Sequence, residues 1–228
     1  MTKLRVWDLP LRLFHWLLVV AVSTAVITGV KGGSWMSIHL NAGLVVIGLL
    51  AFRLAWFFCG STYARLSTIL KSLFSIPSYL KGQWHGLGHN PLGVLSVFGL
   101  LGFTAWQAVS GLLSQEFGAI KGPLVFLIDR NLSDDITSLH RLGLWVIVGL
   151  VSLHLLAIIG YFLFKKNNLV TPMITGKTKQ TNPAQTAAKG GGIIAFIISL
   201  VFAGAVVYLV SGYWYTPPPP PPAPAFNF

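Results

Sequence analysis

The stretch SLHRLGLWVIVGLVSLHLL, from Ser138 to Leu156, is apolar enough to span a membrane, yet it carries two histidines, His140 and His154. A bilayer core about 30 Å thick is crossed by roughly 20 helical residues. Fourteen residues separate the two histidines, close to four helical turns, so both rings leave nearly the same face about 21 Å apart. Ionisable residues inside a membrane are costly and mark functional sites. We therefore expect both histidines to act on a bound group.

The composition of the whole chain is that of a membrane protein. Of its 228 residues, 54% are hydrophobic and 9% are charged, whereas a soluble domain carries roughly a quarter charged residues. The net charge of +11 comes from basic residues that lie between the apolar runs, which favours contact with lipid headgroups over nucleic acid. Cys59 is the single cysteine, so disulfide frameworks, zinc clusters, cysteine-ligated iron–sulfur centres and covalent c-type haem are excluded within this chain.

Apolar stretches long enough to cross a bilayer predict an all-α membrane protein. The loops after the second and fourth stretches hold three and five basic residues and no acidic residue, whereas the loop between the third and fourth holds four acidic residues. Because cytoplasmic loops concentrate Lys and Arg, we expect a bacterial inner-membrane protein with a cytoplasmic N-terminus and a periplasmic C-terminus. The predicted spans are approximately 11–30, 36–58, 92–113, 136–163 and 193–214.

Three shorter segments also have recognisable patterns. Residues 64–80 have helical apolar spacing and predict an amphipathic helix on the inner membrane surface. Residues 122–128 are apolar but too short to span, which predicts a partly buried outer loop. Residues 217–224 are seven prolines and one alanine, which favours polyproline II.

Alternating span directions place the membrane histidines in two pairs. His39 and His140 fall at the outer level, and His15 and His154 at the inner level, about 21 Å away. A haem iron takes axial ligands on opposite faces of its ring, and two facing helices supply one imidazole each. Such an iron has no open position, so its chemistry is electron transfer. The alternative is that each histidine is a helix–helix hydrogen-bond donor.

Four other residues have two interpretations each. Arg53, 14 residues after His39, falls near the level of His154, where it pairs with a haem propionate or reaches the headgroups. Arg141, beside His140, has the same two alternatives at the outer level. His85 and His89 have the i, i+4 spacing of a metal site, but Gly86, Gly88 and Pro91 argue against a helix there. We expect instead that Asn90 caps the third span, with Pro91 in its first turn.

The motifs VWDLPLRLFHW (Val6–Trp16), GSTYAR (Gly60–Arg65), GHNPLG (Gly88–Gly93) and SLHRLG followed by His154 resemble the bacterial cytochrome b561 family. That family includes the cytochrome b subunits of nickel–iron hydrogenases, and the resemblance covers about residues 5–170. It implies a four-helix di-haem transmembrane bundle, to which this chain adds a fifth transmembrane helix. It also implies two haem b groups, held by His15, His39, His140 and His154.

The resemblance further implies electron exchange between the quinone pool and a periplasmic redox protein, either a c-type cytochrome or a dehydrogenase or hydrogenase subunit. The chain would then be a subunit of a quinone-linked oxidoreductase rather than a stand-alone catalyst. Trp84, His85 and His89 are candidates for an inner quinone site. Two alternatives stay open: a superoxide:quinone oxidoreductase that needs no partner, and a haem-free anchor or assembly subunit of a larger complex. The predicted division is a bundle at 1–175, a cytoplasmic linker at 176–192, a fifth helix at 193–215 and a periplasmic tail at 216–228.

Overall fold

The structure is a computed structural model that describes residues 3–116, 120–180 and 182–216. Within these ranges five helices are long and apolar enough to cross a membrane, which confirms the predicted all-α membrane fold. The second of them is preceded by a short 3₁₀ turn, Gly33–Trp35. The proline-rich stretch at 217–224 lies outside the described residues. The five spanning helices are α1 (Leu9–Lys31), α2 (Met36–Cys59), α5 (Pro91–Leu112), α6 (Arg130–Phe164) and α8 (Ile193–Val210).

Side-chain caps start three of these helices. Asp8 caps α1 by accepting a hydrogen bond from the Leu11 amide at 2.7 Å, and Asp129 caps α6 in the same way. Asn90 accepts from the Gly93 amide at 2.7 Å, and Pro91 is the first residue of α5. The predicted cap of the third span is therefore confirmed, and each cap satisfies an amide that the helix itself leaves unpaired.

The prediction of one amphipathic helix over residues 64–80 is wrong in its extent. The segment forms two short helices, α3 (Leu66–Leu73) and α4 (Ile76–Leu80). The chain turns at Phe74 and Ser75 because Pro77, in the first turn of α4, has no amide hydrogen to continue the α3 ladder. The apolar face is retained, since Ile69 is buried where α3 packs on α5.

The spans form two groups. In the first, α1 and α8 both pack along α2, and in the second, α5 packs along α6. The groups meet through α2 and α5, whereas α1 and α6 make only sparse contact. We call the end at which α1 begins the inner end. The core lies there, between α1, α2 and α8, while α6 leaves Leu153 and Leu156 each 64% exposed, as expected of a surface that faces lipid.

Described residues of the predicted linker at 176–192 are bonded to the inner end of the bundle. The strand β1 (Lys3–Arg5) pairs antiparallel with β4 (Lys177–Lys179), which follows the short helix α7 (Val170–Thr175). The Gly176 carbonyl accepts hydrogen bonds from the amides of Val6 and Trp7. The predicted linker thus runs back along the N-terminal strand before α8 begins.

The outer end carries a small two-stranded sheet and the predicted partly buried loop. Strand β2 (Gln115–Glu116) pairs with β3 (Ile120–Lys121), and a 3₁₀ turn follows at Val125–Leu127. Phe126 stacks on Tyr215 with ring centroids 3.7 Å apart, so the apolar loop is covered by the residues that follow α8.

Candidate cofactor sites between the helix pairs

His39 and His140 face each other at the outer level. His39 lies in the first turn of α2 and His140 in α6, with ring centroids 6.0 Å apart and ring planes at 82°. Since a metal–imidazole nitrogen bond is about 2 Å long, one metal atom can reach both rings across this distance. The structure thus brings together the two residues that the sequence paired.

The hydrogen bonds of this pair leave the same nitrogen open on each ring. His39 Nδ1 lies 2.8 Å from the Ala25 carbonyl oxygen, which only accepts, so Nδ1 carries the proton. His140 Nδ1 lies 3.0 Å from the Ser110 hydroxyl, which gives its own hydrogen to the Gln107 carbonyl and so accepts from the ring. In both rings Nε2 keeps its lone pair, the arrangement that metal-ligating histidines use.

The space around the pair fits a flat apolar group. A cavity of about 330 Å³ lies between α1, α2, α5 and α6, with His39, His140 and Arg141 in its wall. A Cβ at Gly29 would lie 2.9 Å from the His39 ring, and one at Gly111 would lie 3.0 Å from the His140 ring. These two glycines therefore make room for the imidazoles.

Gly43 also lines the cavity, one turn after His39. A Cβ built at Gly43 meets nothing within 4 Å, so this position opens onto empty space beside the histidine. The glycine leaves room for a bound ring to approach the α2 backbone.

His15 and His154 both lie towards the inner end of the bundle. His15 lies in α1 and His154 in α6, and these two helices make little contact with each other. His15 Nδ1 is buried and has no hydrogen-bond partner among the described residues, and His154 Nδ1 lies 3.4 Å from the Ser96 hydroxyl. A buried ring nitrogen without a partner between separated helices fits a site that a bound group completes.

Arg53, in α2, is held inside the protein. Its exposed fraction is 2%, one guanidinium N–H donates to the Ala64 carbonyl at 3.1 Å, and the group lies 3.9 Å above the Phe57 ring. The burial argues against the alternative in which Arg53 reaches the headgroups. Arg141, in contrast, is exposed at the rim of the outer cavity.

Of the three candidate quinone residues, His89 lies at the inner end, just before α5. Its ring lies 4.7 Å from that of Trp7, and its backbone carbonyl accepts from the Ser72 hydroxyl at 2.7 Å. Burial, followed by the neighbouring Arg53 charge, lowers the pKa of His89 to about 4, so the ring is neutral at pH 7. His85 is exposed and bonded to the Gln83 carbonyl, and Trp84 packs on Tyr79.

Asp8 joins the two helices that carry His15 and Arg53, and sequence reasoning missed this role. One carboxylate oxygen caps α1, while the other accepts from Trp56 Nε1 at 3.1 Å and from the Ser61 hydroxyl. The carboxylate is 6% exposed. The signal in the sequence is the Asp-Leu-Pro that opens α1, since Asp followed by Pro in the first turn marks a helix start.

A second polar cluster, also missed, closes the inner ends of α5 and α6. Asn90 donates to the Tyr161 hydroxyl at 2.8 Å, and that hydroxyl is hydrogen-bonded to the hydroxyl of Tyr79 in α4. Tyr161 lies two turns beyond His154 on α6. The hydrogen-bond partners of Tyr161 lie more than 70 positions away in the sequence, so no local sequence pattern indicates these contacts.

Comparison with known proteins gives a family and a set of relatives. The family model described as prokaryotic cytochrome b561 matches residues 6–176, up to the end of α7. A probable Ni/Fe-hydrogenase 1 B-type cytochrome subunit of Escherichia coli (strain K12) is 26% identical over 214 residues, covering 75% of this chain and 88% of the relative.

Two further relatives are probable Ni/Fe-hydrogenase B-type cytochrome subunits. That of Rhizobium leguminosarum bv. viciae is 24% identical over 217 residues, covering 75% of this chain and 87% of the relative. That of Azotobacter vinelandii is 26% identical over 220 residues, covering 77% and 88%. The search of solved structures found no match.

Proposed function

Because this chain belongs to the prokaryotic cytochrome b561 family of electron-transferring haem b proteins, we propose that it holds two haem b groups and carries electrons between a redox protein at the outer end and the quinone pool. The observation that carries the proposal is the His39–His140 pair, whose rings face each other at 6.0 Å with both Nδ1 atoms fixed by hydrogen bonds. His39 and His140 hold the outer haem, and His15 and His154 hold the inner one.

The chemistry of this donor set favours electron transfer over oxygen chemistry. Bound haem b supplies one-electron redox chemistry at its iron. Two histidines would hold each haem, so the chain would leave no coordination site for oxygen. Arg53, buried near the inner pair, and Arg141, at the rim of the outer cavity, supply positive charge for haem propionates.

The partner is inferred from the relatives. They are named as B-type cytochrome subunits of Ni/Fe-hydrogenases, and we extend that role to this chain: it is the membrane subunit of a hydrogenase or a related periplasmic dehydrogenase, or it serves a c-type cytochrome. Its basic inner end and acidic outer loop support an inner-membrane orientation with the N-terminus in the cytoplasm. Quinone exchanges electrons near the inner pair, where Trp84, His85 and His89 are the candidate contacts.

Haem content of single variants tests the two sites. A pyridine haemochrome assay on purified protein should give two haems per chain. His140→Ala and His154→Ala should each lower the ratio to about one, because each would remove one of the two histidines that would hold one haem. His85→Ala is the matched control, since His85 is exposed outside the spans and should leave two haems. One haem or none in the parent protein would contradict the di-haem proposal, and none would support the anchor or assembly alternative.

Membrane assays test the partner. Purification from native membranes should recover a hydrogenase or another periplasmic redox protein with the chain, and addition of that protein's substrate should reduce quinone. Loss of quinone reduction in both His140→Ala and His154→Ala is expected if electrons pass through both sites. Quinone reduction by superoxide with the purified chain alone would instead support the superoxide:quinone oxidoreductase alternative.

A further inference from the structure

The two-stranded sheet at the inner end presents four cations on one face. Cross-strand pairing puts Lys3 opposite Lys179 and Arg5 opposite Lys177. In an antiparallel pair, directly opposite residues share a face, and so do residues two positions apart on one strand. All four side chains are exposed, whereas Leu4 and Thr178, on the opposite face, are half-buried.

Such a face is costly to form without an anion. Like charges directly opposite each other destabilise a sheet, and this sheet has two such pairs. Four of the five acidic residues lie between positions 116 and 135, near the outer end. The fifth, Asp8, is buried, with both of its oxygens hydrogen-bonded.

The backbone nevertheless holds the four cations in place. The Gly176 carbonyl accepts from Val6 and Trp7 on one side of the sheet, and the Ala188 amide donates to the Arg5 carbonyl at 2.7 Å on the other. The Arg5 guanidinium also donates to the Ala188 carbonyl at 3.2 Å. That contact uses one of its five N–H groups and leaves the others for a ligand.

The sheet lies next to the inner ends of the spans. Three residues separate Arg5 from the first residue of α1, and Trp16 in α1 donates to the Met173 carbonyl just before β4. A group bound to the cationic face is therefore adjacent to the ends of the spans.

We propose that Lys3, Arg5, Lys177 and Lys179 form a binding site for the phosphate headgroup of an anionic membrane phospholipid. Phosphate oxygens are the acceptors that Arg and Lys bind best, and clustered basic residues at a membrane surface bind anionic lipid. The ligand neutralises the cross-strand repulsion and stabilises the contact between the N-terminal strand and the segment before α8. This site is independent of haem ligation and of the electron-transfer proposal.

Detergent-solubilised full-length protein tests the site with mixed micelles containing phosphatidylglycerol. Thermal stabilisation is measured as a function of lipid concentration, with phosphatidylcholine as the neutral lipid. The double variant Lys3→Gln/Lys179→Gln should need about 30-fold more phosphatidylglycerol for half-maximal stabilisation. In phosphatidylcholine alone it should be at least as stable as the parent, because one of the two repulsive pairs is gone.

Two further double variants keep the test specific. Lys71→Gln/Lys81→Gln removes two exposed lysines of the inner end that lie outside the sheet and should shift the midpoint by less than about 3-fold. Lys3→Arg/Lys179→Arg keeps the charge and should restore parent-like binding. An equal loss of phosphatidylglycerol affinity in the two glutamine double variants would overturn the proposed site. It would show that the lipid responds to the overall positive charge of the inner end. Saturation of the parent by inorganic phosphate, with no added effect of phosphatidylglycerol, would overturn the lipid assignment.

Discussion

Replacement of Gly43 by leucine tests whether the outer cavity holds haem. A Cβ at this position meets nothing within 4 Å, so the first side-chain carbon fits the apoprotein without a clash. The leucine side chain places four carbon atoms in a cavity of about 330 Å³, next to the His39 ring. Overpacking of a filled site costs about 1–3 kcal/mol, which corresponds to about 5- to 150-fold weaker binding of the outer haem.

Haem stoichiometry and haem titration of the apoprotein measure this effect. We expect the Gly43→Leu protein to be purified with about one haem per chain and to bind the second only at raised haem concentration. Gly99→Leu is the matched control, because a Cβ there also meets nothing within 4 Å but Gly99 lies on the exposed surface of α5. Both variants gain helix propensity of about 0.8 kcal/mol, so a difference between them is steric. Two tightly bound haems in Gly43→Leu would refute the assignment of this cavity.

Two other substitutions test side chains that support the proposed haem sites or the fold around them without ligating haem. Ser110→Ala removes the hydroxyl that accepts a hydrogen bond from the His140 ring N–H. Without this bond the imidazole becomes a less basic ligand. The reduction potential of the outer haem, measured by redox titration, should therefore rise by about 20–60 mV. Ser96→Ala removes a hydroxyl that lies 3.4 Å from His154 Nδ1, and it should change the reduction potential of the inner haem less. Equal shifts of the two potentials would count against a tuning role for Ser110. Asp8→Ala leaves buried donors unpaired and should lower the stability towards thermal unfolding in detergent by about 1–3 kcal/mol. The exposed ion-pair partner Asp134 is the control, since its alanine variant should cost less than about 1 kcal/mol; equal losses would show that the Asp8 network contributes little.

The spans were predictable because the hydrocarbon interior of a bilayer imposes one plain requirement on a helix. Each helix that crosses it needs about 20 apolar residues, and hydropathy alone found all five. The sequence also predicted that His39 and His140 lie at the same level. The spans alternate in direction, and a helix rises by about 1.5 Å per residue, so the level of each histidine can be calculated. Their role as haem ligands, and that of His15 and His154, stays a prediction of the sequence and of the proposal above.

The contacts of the inner end were not predictable in the same way. Asp8 bonds Trp56 and Ser61, and the β1 strand pairs with residues more than 170 positions away. No periodic pattern in the sequence indicates such long-range bonds, because the sequence around each partner is that of an ordinary loop or helix cap. The break between α3 and α4 was different, because Pro77 signalled it locally.

The pairing of the first described strand with one of the last segments also constrains the order in which the chain matures. Lys3 meets Lys179, so β1 must wait while the ribosome adds about 175 residues, which at roughly 5–20 residues per second takes about 9 to 35 seconds. During that interval α1, α2, α5 and α6 have been synthesised, yet their shared inner end has no strand across it. The pairing of β1 with β4 therefore forms only after four of the five spanning helices have been synthesised, and a chain that stops before residue 177 would lack it permanently.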